Sequence, residues 1–331
     1  MACSPTPFLP RTTRRSGILP LIPLTIRIIP RDGGVDLRSR NLALVQTPTI
    51  MTRRRGCAGL AFLLTLGLSS PALSQSAVRA SPTDTTVRLT YLGNSGWWIR
   101  TASGDVVIDY VGQNARGDDI GPRMNALRPS QLGDRPLAII ATHEHDDHFA
   151  SDLPTWADSI PRSVLAAGGP APLRAKDVAL PPRKNLTVGP TRIWTARSTD
   201  SGVGLLLRVG SLTVFHAGDH ARWNDDLDAD YRAEIDYLAS LGLSVDIAFV
   251  PIAMGSSCTA TTSLRKGAMY AIARLKPKVA VPMHVRCGKV LRERYQSFAD
   301  AAAAEKYTAV APRAVGDTFL YADGRLTRQA R

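Results

Sequence analysis

Along residues 87–331 the apolar positions fall into short strand-like runs and a few helical faces. Val87–Leu92 and Asp105–Tyr110 predict strands around Gly104, with Trp97-Trp98-Ile99 between them. Leu137–Thr142 is an apolar run that predicts a buried strand. Gly204–Val209 and Leu212–His216 flank Gly210-Ser211 and predict a hairpin. Leu227, Tyr231, Ile235 and Leu238 recur at steps of four, four and three, which marks one face of a helix. Val245–Pro251 predicts a strand, Thr261–Leu275 a helix with Ala268, Ile272 and Leu275 on one side, Val279–Met283 a strand, and 290–305 a closing helix. Strands come early as hairpins and later alternate with helices, so the fold class is α/β, layered, with strands inside and helices outside.

The N-terminal stretch follows other rules. Met51 precedes Arg53, Arg54 and Arg55, then the apolar run Cys57–Leu68, then a small-residue tail containing Ala72-Leu73-Ser74. That three-part order reads as a secretory signal peptide over 51–74. The apolar run is too short for a bilayer, which needs about 20 residues. The expectation is a periplasmic or secreted protein with no stable membrane span after cleavage. Residues 1–50 hold seven prolines, seven arginines and two acids with no sustained period, and read as a disordered extension from a misplaced gene start. Residues 75–86 read as a flexible leader, and 87–331 as the working domain.

Composition changes meaning once the chain is divided in this way. The 331 residues are 44% apolar with a net charge of +13, which excludes a disordered or collagen-like chain and hints at an acidic partner. Residues 1–50 contribute +5 of that charge and 51–74 another +3. The remaining basic residues are spread out, with no run to follow a phosphate backbone, so no nucleic-acid partner is expected. A small-molecule substrate is, and the oligomeric state has no handle in the sequence.

The six histidines carry the chemistry. Three lie in Thr142-His143-Glu144-His145-Asp146-Asp147-His148, two in His216-Ala217-Gly218-Asp219-His220, and one in Pro282-Met283-His284. On a looped backbone His143 and His145 project to one side and can grip one metal, while Asp147 and His148 reach a second position. Asp219 can bridge two metals and His284 can complete the second. Imidazole and carboxylate suit Zn2+, one or two ions, and also Fe or Mn. Two such ions lower the pKa of a shared water toward neutrality and so supply a hydroxide. His216 reads as an orienting residue behind the ligands, with a packed imidazole as the alternative. His220 reads as a group that contacts substrate or shuttles a proton. Trp97, Trp98 and Trp223 are candidates to wall a pocket.

His143-x-His145-x-Asp147-His148 resembles the signature of the metallo-β-lactamase-fold hydrolases, and the likeness extends over roughly residues 87–324. Asp109 matches the family's early structural aspartate, Asp219 the bridging ligand and His284 the final histidine. The stretches around Asn94-Ser-Gly-Trp, Ser198–Val203 and Pro282-Met-His resemble a bacterial subgroup of general Zn-dependent hydrolases, nearer the lactonase and phosphodiesterase branches. The resemblance implies a four-layer αββα sandwich with its site along one edge. One departure stands out. The family's third histidine for the first metal is absent from Ala196–Gly202, leaving Asp200 or water in its place, or else a mononuclear site at Asp147, His148, Asp219 and His284.

The function this implies is an exported metal-dependent hydrolase, in which a metal-bound hydroxide, oriented by Asp147, attacks an ester, lactone, amide or phosphodiester. The alternatives are a β-lactamase and a non-catalytic metal- or ligand-binding protein of the same fold. Cys258 and Cys287 each follow a strand of the late α/β unit. They are either two separate thiols or a bridge bracing the His284 loop.

Overall fold

Period-two alternation divides the central strands between two separate cores, and this is what stacks the molecule into layers. The computed structural model describes residues 86–112, 127–255 and 257–330. The expected prefix, signal segment and most of the leader lie outside the described residues.

The first sheet is built from β1 (Val87–Gly93), β2 (Gly96–Thr101), β3 (Gly104–Ile108), β4 (Leu137–Ala141), β5 (Ser163–Ala167) and β6 (Val178–Ala179). The second is built from β7 (Asn185–Val188), β8 (Thr191–Arg197), β9 (Val203–Val209), β10 (Leu212–His216), β11 (Ile247–Pro251) and β12 (Val279–Met283). β13 (Thr318–Ala322) and β14 (Arg325–Arg328) return to the first sheet, giving the orders β14-β13-β1-β2-β3-β4-β5-β6 and β12-β11-β10-β9-β8-β7. Five helices accompany them among the described residues: α1 (Pro129–Leu132), α2 (Leu153–Asp158), α3 (Asp228–Ser240), α4 (Thr262–Leu275) and α5 (Gly288–Ala304).

β3 and β4 show how the layers form. Val106, Ile108, Ala138 and Ile140 face the inner core with Leu205, Leu207, Val214 and Phe249 of the other sheet. Val107, Leu137, Ile139 and Ala141 face outward against Leu132 of α1 and Leu153 and Ala157 of α2. A strand covered on both faces must be apolar throughout, which explains the unbroken run Leu137–Ala141. On the far side α3 packs on β8, α4 on β11 and α5 on β12. The result is helix, sheet, sheet, helix, the expected αββα arrangement.

Most predicted elements agree with the structure to within two residues. The closing helix is followed by a hairpin that the sequence reading lacks. Phe319 and Tyr321 alternate inward, Asp323-Gly324 makes the turn, and β13 pairs antiparallel with β1. Trp97 is also corrected: it is fully buried between Tyr91, Phe249 and Phe319 in the inner core. Trp98 lies under Arg100 and donates to Asp105, so it walls no pocket.

Candidate metal centre

β3, β4 and β5 run parallel, as do β10, β11 and β12, so the loops leaving their carboxyl ends collect along one edge. Asp109 follows β3, His143–His148 follow β4, Asp219 follows β10 and His284 follows β12. Asp200 sits in the turn between β8 and β9, and Asn94 in the turn between β1 and β2.

Two groups of side chains result. His143, His145, Asp200 and Asp219 offer one ligand atom each within 4.8 Å of one another, and Asp147, His148 and His284 do the same. Asp219 faces both: its Oδ1 lies 3.1 Å from His148 Nε2 and 3.2 Å from His284 Nε2, and its Oδ2 lies 3.6 Å from His143 Nε2. Asp147 Oδ2 is 3.5 Å from both His148 Nε2 and His284 Nε2. In the first group, His145 Nδ1 is 2.9 Å from His143 Nε2 and 3.6 Å from Asp200 Oδ2.

The far nitrogens of these rings are already committed. Nδ1–H of His148 donates to Asp109 Oδ2 at 2.8 Å, and Nδ1–H of His284 donates to the Ala253 carbonyl at 2.8 Å. Thr142 Oγ1 donates to Asp109 Oδ2 at 2.9 Å and sits 3.1 Å from His143 Nδ1, positioned to accept its proton. One buried carboxylate therefore orients both His148 and His143. With those bonds made, His148 Nε2, His284 Nε2 and Asp219 Oδ1 point at a shared space with no hydrogen-bond partner, although all three are buried. Orphaned buried acceptors need an explanation, and a divalent cation bound between them supplies one. The donor set of imidazole and carboxylate fits Zn2+, Fe or Mn.

The charges follow from the same contacts. Burial alone would raise Asp219 and Asp147, yet His148 and His284 hold both well below the usual carboxylate range. Burial would lower His284, but Asp219 and Asp147 lift it to about 10. In the first group burial, then the charge on His148, lowers His143 to about 4, leaving a neutral imidazole suited to ligation. Burial, then the charge of Asp219, raises Asp200. The groups also differ in access. His145 and Asp200 are 47% and 42% exposed as side chains, whereas Asp147, His148 and His284 are buried. The His145–Asp200 side is the more open of the two groups.

Two glycines permit the close approach. Gly202 has φ +66°, and a Cβ there would sit 2.1 Å from the Thr142 carbonyl and 2.6 Å from His143 Cβ. Gly218 has φ +55°, and a Cβ there would meet Thr142 Cβ at 2.7 Å. Only glycine fits either site.

Placement of the remaining sequence candidates is mixed. His216 is fully buried, with Nδ1 accepting from Gly218 N at 3.2 Å and Nε2 donating to Ser95 O at 2.9 Å, so it braces the loop carrying Asp219. His220 does not face the centre. Its ring is fully buried and packs 4.8 Å from Tyr231, and burial depresses it to about 4. A ring with no accessible surface has no face to offer substrate, so the contact or shuttle role is not supported. Of the three tryptophans only Trp223 stands at the site, donating to Asp219 O at 3.0 Å with its ring 5.6 Å from that of His284.

Sequence reasoning missed three contributors. Asn94 Nδ2 donates to Asp147 Oδ2 at 3.1 Å, Arg286 Nη1 lies 3.1 Å from the same oxygen, and Thr142 links Asp109 to His143. Arg286 lies between His284 and Cys287, where no periodicity marks it. Cys258 and Cys287 form a disulfide with Cα atoms 6.0 Å apart, resolving the two readings left open and joining the loops after β11 and β12.

The family profile described as "Beta-lactamase superfamily domain" matches residues 88–284, from β1 to the last histidine of the centre. The chain belongs to this family. Among curated relatives, a metal-dependent hydrolase of Symbiobacterium thermophilum is 26% identical over 226 residues, 64% of this chain and 90% of the relative. One from Pyrococcus furiosus is 24% identical over 213 residues, 60% of this chain and 84% of the relative. Among solved structures, Igni18, described as a novel metallo hydrolase from Ignicoccus hospitalis, aligns with a TM-score of 0.50 at 17% identity. That alignment covers 72% of this chain and 99% of the neighbour, and shows the shared sandwich. The β-lactamase-superfamily fold expected from the His-x-His-x-Asp-His run is thus borne out.

Proposed function

We propose that this chain, a metal-dependent hydrolase, holds two zinc ions: one on His143, His145, Asp200 and Asp219, the other on Asp147, His148, Asp219 and His284. The observation that carries this is Asp219, whose two oxygens face separate donor groups. Asp200 takes the place of the absent third histidine. When bound, the ions acidify a water and neutralise charge developing on a carbonyl or phosphoryl oxygen.

The chain's own residues do the rest. Asp109 and the Ala253 carbonyl fix the ring orientation of His148 and His284, so their Nε2 atoms need no rearrangement. Asp147, held by Asn94 and Arg286, orients the attacking water by accepting its hydrogen bond. Arg286 is about a quarter exposed and adds positive charge beside the substrate's developing oxyanion. The substrate is a small ester, lactone, amide or phosphodiester entering past His145 and Asp200.

The test compares wild type with His145→Ala on lactone, phosphodiester and β-lactam substrates. Turnover of a lactone or phosphodiester, reduced on the order of 100-fold or more in the variant, is expected. Equal inertness of both proteins across the panel would leave a binding protein without turnover.

The place of action we propose is outside the cytoplasm, periplasmic or secreted. The positive, apolar and small-residue order of 51–74 supports this, and so does a disulfide between the two cysteines of the hydrolase domain. Mass spectrometry of the natural protein's N-terminus checks it: a first residue near 75 is expected, and peptides from 1–50 would overturn the assignment.

A further inference from the structure

Away from the metal centre, a cavity of about 220 Å3 lies between the first turn of α4, the middle of α5 and the residue following β11. Its walls include Ile252, Thr261, Arg265, Arg294, Ser297 and Phe298. On α5, Arg294, Ser297 and Phe298 stand at i, i+3 and i+4 and therefore share one face. On α4, Arg265 lies one turn past the N-cap Thr261, and its amide donates to the Thr261 carbonyl at 3.1 Å.

Two arginines line this cavity. Several guanidinium groups of the chain pair with acids: Arg174 with Asp158 and Asp177, Arg183 with Glu234, Arg222 and Arg232 with Asp228, Arg274 with Asp236. Among the described residues, neither the Arg265 nor the Arg294 guanidinium has a hydrogen bond or an ion pair; Arg265 stands exposed at the rim and Arg294 is half-buried. Arg294 Nε is moreover buried and without a partner. A guanidinium presents five donors in a planar fork that matches a carboxylate or phosphate. Leaving a buried donor unmade costs about 1–3 kcal/mol, so Arg294 Nε favours an acceptor in this cavity. Ile252 and Phe298 give the cavity a buried apolar lining. The Leu264 amide is capped by Thr261 Oγ1, and the remaining first-turn amides of α4 add a favourable field for negative charge.

We infer that this cavity is a second binding site, for a small molecule that carries a carboxylate or phosphate on a short apolar body. Arg265 and Arg294 hold the oxyanion, Ser297 and Thr261 add hydroxyl donors, and Ile252 and Phe298 cover the apolar part. The site communicates with the metal centre through one short segment. Ile252 N donates to the Met283 carbonyl at 3.2 Å, and the next residue, Ala253, accepts from His284 Nδ1. The Cys258–Cys287 bridge ties the same two loops together.

The experiment titrates the metal-loaded full-length chain with inorganic phosphate, hexyl phosphate and hexanoate in turn, following the arginine Nε–H signals by NMR. Saturable movement of the Arg265 and Arg294 signals is expected. Hexyl phosphate or hexanoate should bind at least several-fold tighter than phosphate, and which of the two is tighter identifies the headgroup. Arg265→Ala with Arg294→Ala should weaken binding tenfold or more, and R265K with R294K should restore part of it. Arginine signals that stay still up to saturating ligand, or equal affinity in the double alanine variant, would overturn the site. Phosphate held only at the metal centre gives that second outcome. Should the double variant fail to fold, the signals of the wild-type protein alone decide. No readout depends on turnover, so a failed hydrolase assignment leaves this test intact.

Discussion

Asp109 is fully buried at a left-handed backbone position, φ +47°, with both oxygens in use. It receives the Thr142 amide on one and Thr142 Oγ1 and His148 Nδ1–H on the other, and so sets two ligand rings at once. Asp109→Asn replaces an acceptor with a donor facing a donor. The expected outcome is a metal affinity lower by roughly 10–100-fold, read by competition with a chromophoric chelator. His220 supplies the contrasting case. Because its ring is sealed against Tyr231, His220→Leu should leave kcat within about twofold, whereas losing an acid–base group costs on the order of 10²–10⁴. A steady-state assay separates the two. The candidate ligand residues were legible because metal chemistry needs few residue types at short spacing. Thr142, Asn94 and Arg286 were not, since each acts through a contact between residues distant in sequence or unmarked by spacing.

At the scale of elements, the centre depends on how closely the β8–β9 turn meets the end of β4. Gly202→Ala would press a methyl into the Thr142 carbonyl at φ +66° and displace both His143 and the Asp200 turn. A loss of about 1–3 kcal/mol from the backbone alone, seen as a lower melting temperature, is expected together with a depleted first metal position. The disulfide closes a loop over a sequence separation of 29 residues. Chain entropy assigns it ~3–4 kcal/mol, or about 10 °C in a domain of this size. Differential scanning calorimetry of Cys258→Ser with Cys287→Ser checks that figure; an unchanged melting temperature contradicts it. Most strands were legible from apolar runs, and α4 from its helical face. The hairpin β13–β14 carried a readable signal in Asp323-Gly324 between alternating residues. Its pairing with β1 did not, because contacts between distant strands leave no local period.

Over the whole molecule, two sheets enclose the inner core and their parallel strands bring the ligand loops to one edge. Neither sheet alone holds the centre: Asp147 and His148 come from the first, Asp219 and His284 from the second. Chelation should therefore weaken the association of the two sheets as well as remove activity. A metal-stripped sample is expected to melt lower than the loaded one, by an amount that grows with free metal concentration. Charge is distributed to match, since most of the chain's +13 precedes residue 75. No helix among the described residues is long and apolar enough to cross a membrane.

Metal analysis by inductively coupled plasma mass spectrometry, on wild type and on Asp200→Ala and His284→Ala, tests the dinuclear centre most directly. Two zinc ions per chain, with one lost in each variant, is the predicted result. A wild-type chain purified and reloaded with zinc that retains no stoichiometric metal, or a content unchanged by both substitutions, would contradict it.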